Sequence, residues 1–331
     1  MTDLAGKVVL VTGADGFIGS HLVEALVRAK AKVRAFCLYN SQGSWGWLDK
    51  SPEQVRSAID VRLGDIRDAR FVEEACQGVE IVFHLAALIA IPYSYQATES
   101  FVDTNVKGTL NVLEAVRRRG VGRMVHTSTS EVYGTPEKLP IVETHPLSAQ
   151  SPYAATKIAA DQLALSYHKS FGTPVTVLRP FNTFGPRQSA RAVIPALLYQ
   201  LITGKKEVEL GRLDTRRDFT FVHDTVRGFL ATARAVGVEG ETVQLGTGSA
   251  VSVQELFDLA CSVVGVRDVV IKTDPRRLRP DASEVLVLLS DPSKAKARLG
   301  WAPEVTFAAG IEETVRWLRE NQDAFKESLH L

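Results

Sequence analysis

Short, almost continuously apolar runs alternate with longer amphipathic segments through the first 180 residues of this 331-residue chain. Apolar character on both sides of a strand is typical of parallel strands buried on both faces. The segments between the runs predict helices at about 17–29, 68–77, 97–119 and 152–171. This alternation predicts an α/β fold, a doubly wound parallel sheet. Its predicted strands are 8–11, 33–36, 61–63, 81–86, 124–127 and 175–178.

After residue 180 the alternation loosens, and proline, glycine and arginine become more frequent. Segments 219–222 and 243–246 still predict sheet strands. We expect a cofactor-binding domain of residues 1–180 plus about 216–247, and a smaller, mostly C-terminal substrate lobe of residues 181–215 plus about 248–331. In that lobe, Ser252 and Glu255 predict a capping box at the start of a helix. The cleft between domain and lobe would lie at the carboxyl ends of the strands, where such sheets bind ligands.

Composition excludes several classes of function. The formal net charge is +1, so the chain has no electrostatic footprint for nucleic acid or an anionic membrane. No apolar run approaches the roughly 20 residues that span a bilayer. The three cysteines fit no disulfide framework, and the seven histidines show no metal-ligand spacing, so we expect no metal. The first strand follows the start of the chain directly, without a signal peptide, and we expect a cytoplasmic protein.

A glycine-rich turn joins the first predicted strand to the first predicted helix. Gly13 permits the tight turn, Gly16 allows a pyrophosphate to approach the backbone, and Gly19 allows the helix to pack closely on the strand. The turn therefore predicts dinucleotide binding by a Rossmann-type domain. Its other expected cofactor contacts are Asp15, Phe17 and Ile18, with Asp65 and Ile66 flanking the adenine.

The choice between NAD and NADP depends on the end of the second strand. An acidic residue there binds a free ribose hydroxyl, whereas a nearby arginine accepts a 2′-phosphate. This strand ends in Phe-Cys-Leu-Tyr-Asn (36–40) and has neither. We favour NAD because no arginine follows the strand, and NADP is not excluded.

Tyr153 and Lys157 form a Tyr-x-x-x-Lys pair, and residues four apart share one face of a helix. An ammonium beside a phenol stabilises the phenolate and lowers the phenol pKa, so Tyr153 is a candidate general base for hydride transfer. Just upstream, the fifth strand delivers Thr129, Ser130 and Glu131 to the carboxyl edge of the sheet. For the two hydroxyls, the alternative is a turn that bonds local backbone; for Glu131 it is simple solvation.

The chain resembles the extended short-chain dehydrogenase/reductase family in the glycine turn, HLAA (84–87), TSTSEVYG (127–134) and the Tyr-Lys pair. RPFNTFGPRQ (179–188), RRDFTFVHD (216–224), RLRPDASEV (277–285) and SDPSKAKARLGW (290–301) extend the resemblance almost end to end. Thr-Ser-Glu and the C-terminal motifs resemble the nucleotide-sugar 4,6-dehydratases of the GDP-mannose type. ALIAIPYSY (87–95) and GPRQSARAVIP (185–195) are closer still to dehydratases of legionaminic-acid-type pathways, which act on nucleotide-linked N-acetylglucosamine.

The resemblance implies specific roles. Tyr153 would accept the C4 hydroxyl proton, Thr129 would hold the C4 oxygen, Glu131 would remove the C5 proton, and Lys157 would also hold the nicotinamide ribose. Glucose-type enzymes have Asp-Glu where this chain has Ser130-Glu131; because serine is not a comparable acid, Glu131 would serve both elimination steps. The cofactor would also contact Leu85, Ala86 and Ala87. The substrate, a nucleotide-diphosphate sugar, would contact Asn182, Arg187, Arg217 and Arg279, with Tyr93 lining the sugar pocket unless it packs in the core.

The resemblance also implies a homodimer in which the two long helices, 97–119 and 152–171, form a four-helix bundle with their copies. Two other enzymes of the same family remain open: a UDP-glucuronate decarboxylase, which an additional arginine in the sugar pocket would favour, and a C4 epimerase, against which Glu131 argues. A catalytically silent dinucleotide-binding protein is a further alternative, although such proteins tend to lack the tyrosine or lysine of the pair. Trp45 and Trp47 have no assigned role.

Overall fold

The computed structural model describes residues 3–324. Its strands are β1 (Val8–Thr12), β2 (Lys32–Leu38), β3 (Ile59–Gly64), β4 (Ile81–His84), β5 (Arg123–Thr127), β6 (Val175–Pro180), β7 (Asn182–Phe184), β8 (Glu207–Leu210), β9 (Arg216–Phe221), β10 (Thr242–Leu245), β11 (Ala250–Ser252), β12 (Val270–Thr273) and β13 (Val287–Leu288). Its α-helices are α1 (Phe17–Arg28), α2 (Glu53–Arg56), α3 (Ala69–Ala75), α4 (Ile91–Ser94), α5 (Thr98–Phe101), α6 (Gly108–Arg119), α7 (Pro152–Phe171), α8 (Val193–Ile202), α9 (Val222–Arg234), α10 (Val253–Val264), α11 (Ser293–Leu299) and α12 (Phe307–Glu320).

Seven parallel strands form the main sheet in the order β10-β6-β5-β4-β1-β2-β3. The predicted doubly wound Rossmann-type sheet is therefore confirmed, because the chain winds outward in both directions from β1. Alternate strand residues enter two hydrophobic cores. One core contains buried residues of α1 and α9, and the opposite core contains those of α3, α6 and α7. The strand order reverses beside β1, and this switch point is where the glycine turn lies.

Two small sheets lie outside the main sheet. In one, β9 lies between β11 and β13 and also pairs with β7; the other consists of β8 and β12. The expected strand at 243–246 does join the main sheet, at its edge beside β6. The expected strand at 219–222 forms as part of β9 but belongs to the sheet with β7, β11 and β13, and Val222 already begins α9. The reason is packing: Phe219 and Phe221 contact the Phe184 ring, and Phe219 stacks on Phe307 of α12.

The predicted helix at 97–119 is divided by a π-helical segment at Val102–Lys107, between α5 and α6. The segment holds the buried Asn105, whose side chain accepts a hydrogen bond from Leu88 N (2.8 Å) and donates to Leu88 O (2.9 Å) and Thr156 Oγ1 (3.1 Å). The side chain thus joins the loop after β4 to α7. Local π-helical turns are frequent at functional sites.

One predicted feature outside the main sheet is the capping box at the start of α10. The capping box forms as expected, with Glu255 N donating to Ser252 Oγ and Ser252 N donating to the Glu255 carboxylate. Between Asp3 and Ala324, no helix is long and apolar enough to cross a membrane. Over the same residues, no group of three or more histidine, cysteine or acidic side chains is arranged to hold a metal ion.

Candidate active site

Two of the three glycines in the turn have no room for a larger side chain. Gly13 has a φ of +67°, and a Cβ atom there would lie 2.8 Å from Ala86 N. A Cβ atom on Gly19 would lie 2.0 Å from Gly13 O. Gly16 is exposed and begins α1 without a side-chain cap. The free N–H groups at this end of α1 and the helix dipole favour an anion such as a pyrophosphate, so the turn fits a dinucleotide.

The HLAA segment lies against this turn. Thr12 Oγ1 accepts hydrogen bonds from Leu85 N (3.1 Å) and Ala86 N (3.2 Å) and contacts His84 Nδ1 at 2.8 Å. The structure thus brings Leu85 and Ala86 beside Gly13. Of the other expected cofactor residues, Phe17 and Ile18 begin α1 and pack partly against the core.

Asp65 and Ile66 follow β3, as the sequence predicts. Ile66 is buried, and a Cβ on Gly108 would lie 2.8 Å from its Cγ2 atom. Asp65 forms an ion pair with Arg67 at 2.6 Å, and hydrogen bonding to that guanidinium lowers the pKa of the carboxyl. Both residues therefore lie at the carboxyl edge of the sheet, two strands from the glycine turn.

Tyr153 and Lys157 lie on the first turns of α7 and are both buried. Lys157 Nζ donates a hydrogen bond to Thr127 O at 2.7 Å, and burial lowers the lysine pKa to about 8 although Asp161 acts to raise it. Burial also raises the pKa of Tyr153, while a hydrogen bond with the Thr129 side chain lowers it. The expectation that Lys157 lowers the Tyr153 pKa is therefore wrong for this structure, because desolvation dominates and the ammonium is directed to a backbone carbonyl.

Thr129, Ser130 and Glu131 form the turn after β5. Thr129 caps a 3-10 turn over Ser130–Tyr133 by accepting a hydrogen bond from Glu131 N at 3.2 Å. The same side chain reaches Tyr153, so its role is not only the local capping of a turn. Ser130 is buried. The Glu131 carboxylate is largely buried and lies 3.7 Å from Arg279 Nη1.

A buried polar network supports the pair on α7, and sequence reasoning missed it. The Asp161 carboxylate accepts hydrogen bonds from Ser128 Oγ (2.7 Å) and from Arg179 (2.9 and 3.1 Å), and it lies 3.3 Å from His126 Nε2. Arg179 also donates to Tyr133 OH. The spacing in the sequence could have revealed Asp161, because it lies one helical turn beyond Lys157 and therefore shares the helix face of that lysine.

Two of the predicted substrate arginines lie together. Arg217 on β9 is buried and pairs with Glu284 at 3.3 Å, and Arg279 lies 4.0 Å from the same carboxylate. Arg279 Nη1 is buried without a hydrogen-bond partner, and so is Asn182 Oδ1. Groups of this kind are costly to leave unpaired, so both atoms fit positions that a polar ligand satisfies. Sequence reasoning missed Glu284, although it lies within the tail motif.

Arg187 pairs with a residue of α1. Its guanidinium donates to Glu24 Oε1 at 2.6 Å, and Ser51 donates to the same oxygen. The Nη1 atom of Arg187 is buried without a hydrogen-bond partner. Tyr93 on α4 is 39 % exposed, with its ring 5.9 Å from that of Phe101, which in turn contacts the Tyr153 ring. This position fits the rim of a pocket in front of Tyr153.

The model of the family described as GDP-mannose 4,6 dehydratase matches residues 10–314. A dTDP-glucose 4,6-dehydratase of Streptomyces antibioticus is 35 % identical over 317 residues, which cover 95 % of this chain and 92 % of that protein. The crystal structure of a dTDP-glucose 4,6-dehydratase from Streptomyces venezuelae with NAD bound has a TM-score of 0.86 and 31 % identity, covering 96 % of this chain and 99 % of that one. An epimerase structure from Methanothermobacter thermautotrophicus has a TM-score of 0.88 and 32 % identity, covering 97 % and 94 %.

Proposed function

Because this chain belongs to the GDP-mannose 4,6-dehydratase family, we propose that it is an NAD-dependent nucleotide-sugar 4,6-dehydratase. It would convert a nucleotide-diphosphate hexose to the 4-keto-6-deoxy sugar. The observation that carries the proposal is the position of Glu131. This carboxylate follows Thr129, the residue that reaches Tyr153, in the same turn at the sheet edge. The reaction needs a base for the C4 hydroxyl and a separate base for the C–H of the adjacent carbon; Tyr153 on α7 and Glu131 in this turn would supply them.

NAD fits the cradle formed by the glycine turn and the HLAA segment, and the Streptomyces venezuelae enzyme was solved with it. When bound, it supplies the hydride acceptor for C4 and the hydride donor for C6, and its positively charged nicotinamide lowers the pKa of an adjacent phenol. We assign contacts with it to the glycine turn (Gly13, Asp15, Gly16, Phe17, Ile18, Gly19), to Asp65 and Ile66, to Leu85, Ala86 and Ala87, and to Tyr153 and Lys157.

Tyr153 takes the C4 hydroxyl proton as that carbon is oxidised. Thr129 donates a hydrogen bond to the C4 oxygen and holds it against the phenol. Lys157 holds its positive charge near Tyr153 and Thr129, because the hydrogen bond to Thr127 O fixes the position of its ammonium. The C4 ketone that results acidifies the proton on C5.

Glu131 removes that C5 proton, the C5–C6 double bond forms, and the C6–O bond breaks. Ser130 is not acidic enough to protonate the leaving hydroxyl, so Glu131 passes the proton on and water leaves. Return of the C4 hydride to C6 and addition of a solvent proton at C5 would then give the 4-keto-6-deoxy product, with no net redox change in the sugar. Elimination thus needs one carboxylate close to both carbons.

Arg217, Arg279 and Asn182 are the proposed substrate contacts. Two guanidinium groups on one side of the site match the two charges of a diphosphate. Arg187 stays a proposed contact: one nitrogen of its guanidinium pairs with Glu24, and its Nη1 atom is buried without a hydrogen-bond partner. We propose N-acetylglucosamine as the sugar; the likeness of ALIAIPYSY (87–95) and GPRQSARAVIP (185–195) to legionaminic-acid-type dehydratases supports this choice. Tyr93 would line the sugar pocket.

We also propose a homodimer through a four-helix bundle. Val102, Val106 and Leu110 recur every four residues across the π-helical segment and α6, and each is exposed or partly exposed. Apolar residues at this spacing form a stripe along one helix face, which a second copy would cover. The neighbouring α7 packs against α6 and completes the helix pair.

Two other activities have observations in their favour. The epimerase structure is as similar to this chain as the dehydratase structure, so C4 epimerisation is one candidate. Arg279 lies beside Glu131, where it would meet the carboxylate of a uronic acid, so decarboxylation of UDP-glucuronate is the other. Neither requires the loss of a C6 hydroxyl, and this difference separates them from the dehydratase.

The test is to incubate the purified chain separately with UDP- and GDP-N-acetylglucosamine, GDP-mannose, dTDP-glucose and UDP-glucuronate in D₂O and to weigh the products. We expect one N-acetylglucosamine nucleotide to lose water and gain one deuterium, at C5. Loss of carbon dioxide from UDP-glucuronate alone would replace this assignment with the decarboxylase. Conversion to an epimer of unchanged mass, separated from the substrate by chromatography, would replace it with the epimerase.

A further inference from the structure

The end of β2 carries an acidic group that the sequence of β2 does not contain. Asp15, from the glycine turn, places its carboxylate at this strand end, where Oδ2 accepts a hydrogen bond from Leu38 N at 3.3 Å. In dinucleotide-binding sheets, the adenosine ribose lies at the end of the second strand, and the group found there selects between a 2′-hydroxyl and a 2′-phosphate. Asp15 therefore lies at the position that selects between the two cofactors, although it belongs to the glycine turn and not to β2.

The loop after β2 fixes Asp15 in place. Trp47 N donates to Asp15 O at 3.0 Å, and a Cβ atom on Gly46 (φ +59°) would lie 2.5 Å from that oxygen. The Trp47 ring packs edge-on against Trp317 of α12, with ring centroids 5.5 Å apart, and Leu48 is fully buried. The loop is thus anchored in the core, and this explains the tryptophan-rich segment to which the sequence assigned no role.

Asn40 and Asp49 make the loop compact. Asn40 Oδ1 accepts hydrogen bonds from Gln42 N (3.2 Å) and Ser44 N (3.0 Å). The Asp49 carboxylate accepts from Ser44 Oγ (2.6 Å) and Trp45 N (3.1 Å). These contacts close the loop on itself beside Asp15, whose backbone oxygen the loop holds through Trp47 N.

The local charge is negative. Burial, together with the charges of Asp15 and Asp49, raises the pKa of the Cys37 thiol in β2 to about 12. Within the described part of the chain, Asp15 forms no ion pair with lysine or arginine. Two cations lie in the surrounding elements: the Lys50 ammonium is over the Trp47 ring, 5.7 Å from its centroid, and Arg67 pairs with Asp65.

We propose that Asp15 is the residue that selects NAD over NADP in this protein. Its carboxylate accepts a hydrogen bond from the ribose 2′-hydroxyl and repels a 2′-phosphate, which finds no unpaired cation beside it. The inference rests on the dinucleotide binding proposed above and adds to it the residue that sets the choice of cofactor.

The test is equilibrium binding of NAD⁺ and NADP⁺ by calorimetry to the wild-type chain and to Asp15→Asn and Asp15→Ser. The wild type should prefer NAD⁺ by about 100-fold or more, since like charges in contact cost several kcal/mol. Asp15→Asn removes the charge and keeps the shape, and it should reduce this ratio at least tenfold, mainly through tighter NADP⁺ binding. Asp15→Ser should also weaken NAD⁺ binding about tenfold, because a hydrogen bond to a charged group is lost.

Asp49→Asn is the matched control, since its carboxylate lies in the same loop but is bonded within the loop. It should leave the NAD⁺/NADP⁺ ratio within about twofold. An unchanged ratio in a folded Asp15→Asn variant, or an equal shift in Asp49→Asn, would overturn the assignment. If the wild type binds neither dinucleotide, the proposed function itself fails, and this outcome differs from an unchanged ratio.

Discussion

Asp161 is a positioning residue for the catalytic pair. It lies one helical turn beyond Lys157 with no exposed surface, and its carboxylate acts to raise the pKa of a lysine whose burial lowers that pKa to about 8. Lysine is charged below its pKa. A step that needs the cation is therefore supported at lower pH and lost as the pH rises through about 8.

Asp161→Asn should consequently move the alkaline limb of kcat to lower pH, by about one unit, because the buried charge that favours the ammonium is removed. The measurement is the pH profile of kcat. Ser128→Ala is the control: it removes a hydrogen bond to Asp161 but keeps the charge, so its limb should stay in place. An Asp161→Asn limb that coincides with the wild type would contradict this role.

Among single residues, the sequence correctly predicted those site features that depend only on the spacing of residues along the chain. Tyr153 and Lys157 share a face because they lie four apart on α7, and the three glycines lie where the turn needs them. The ion pair of Arg187 with Glu24 was not predicted, because the two residues lie 163 apart in sequence and local patterns carry no signal for such a pair. The Asp15 carboxylate at the end of β2 is likewise a product of tertiary structure.

At the scale of elements, the capping box of α10 offers a clean test of local stability. Ser252 Oγ accepts a hydrogen bond from Glu255 N at 3.0 Å, so Ser252→Ala leaves this N–H group without its cap. We expect a loss of about 1 kcal/mol in the free energy of unfolding. Ser262→Ala, at an exposed position within the same helix, should cost nothing, because alanine is the better helix former. Denaturant titration of both variants measures the difference, and equal effects would argue against the cap.

The sequence predicted whether a segment is a helix or a strand better than it predicted which sheet a strand joins. Three residues of the strand predicted at 219–222 do form a strand, as part of β9, but strand propensity does not say which sheet a strand joins. The aromatic packing of Phe219 on Phe307 decided this, and the two residues lie far apart in sequence. The division of the 97–119 helix depends on Asn105, whose side chain bonds the loop after β4 and α7. Neither outcome follows from periodicity alone.

For the whole molecule, the apolar stripe of Val102, Val106 and Leu110 predicts the assembly state. Light scattering after size exclusion should give a dimer for the wild type. Val106→Glu introduces a charge into the proposed bundle and should give a monomer that retains its circular dichroism spectrum, because the position is only partly buried within one chain. Val236→Glu, at a residue 77 % exposed and remote from these helices in sequence, is the control and should remain dimeric. A wild-type monomer would contradict the bundle.

The central claim is that Glu131 is the C5 base of a dehydratase, and the most direct measurement separates oxidation at C4 from loss of water. The Glu131→Gln variant should still oxidise C4, seen as the absorbance of reduced nicotinamide, but should lose water about 10³-fold more slowly than the wild type, since a general base is removed. Tyr153→Phe should stop both steps. If Glu131→Gln releases water and incorporates deuterium at C5 at the wild-type rate, Glu131 is not the base and the account fails.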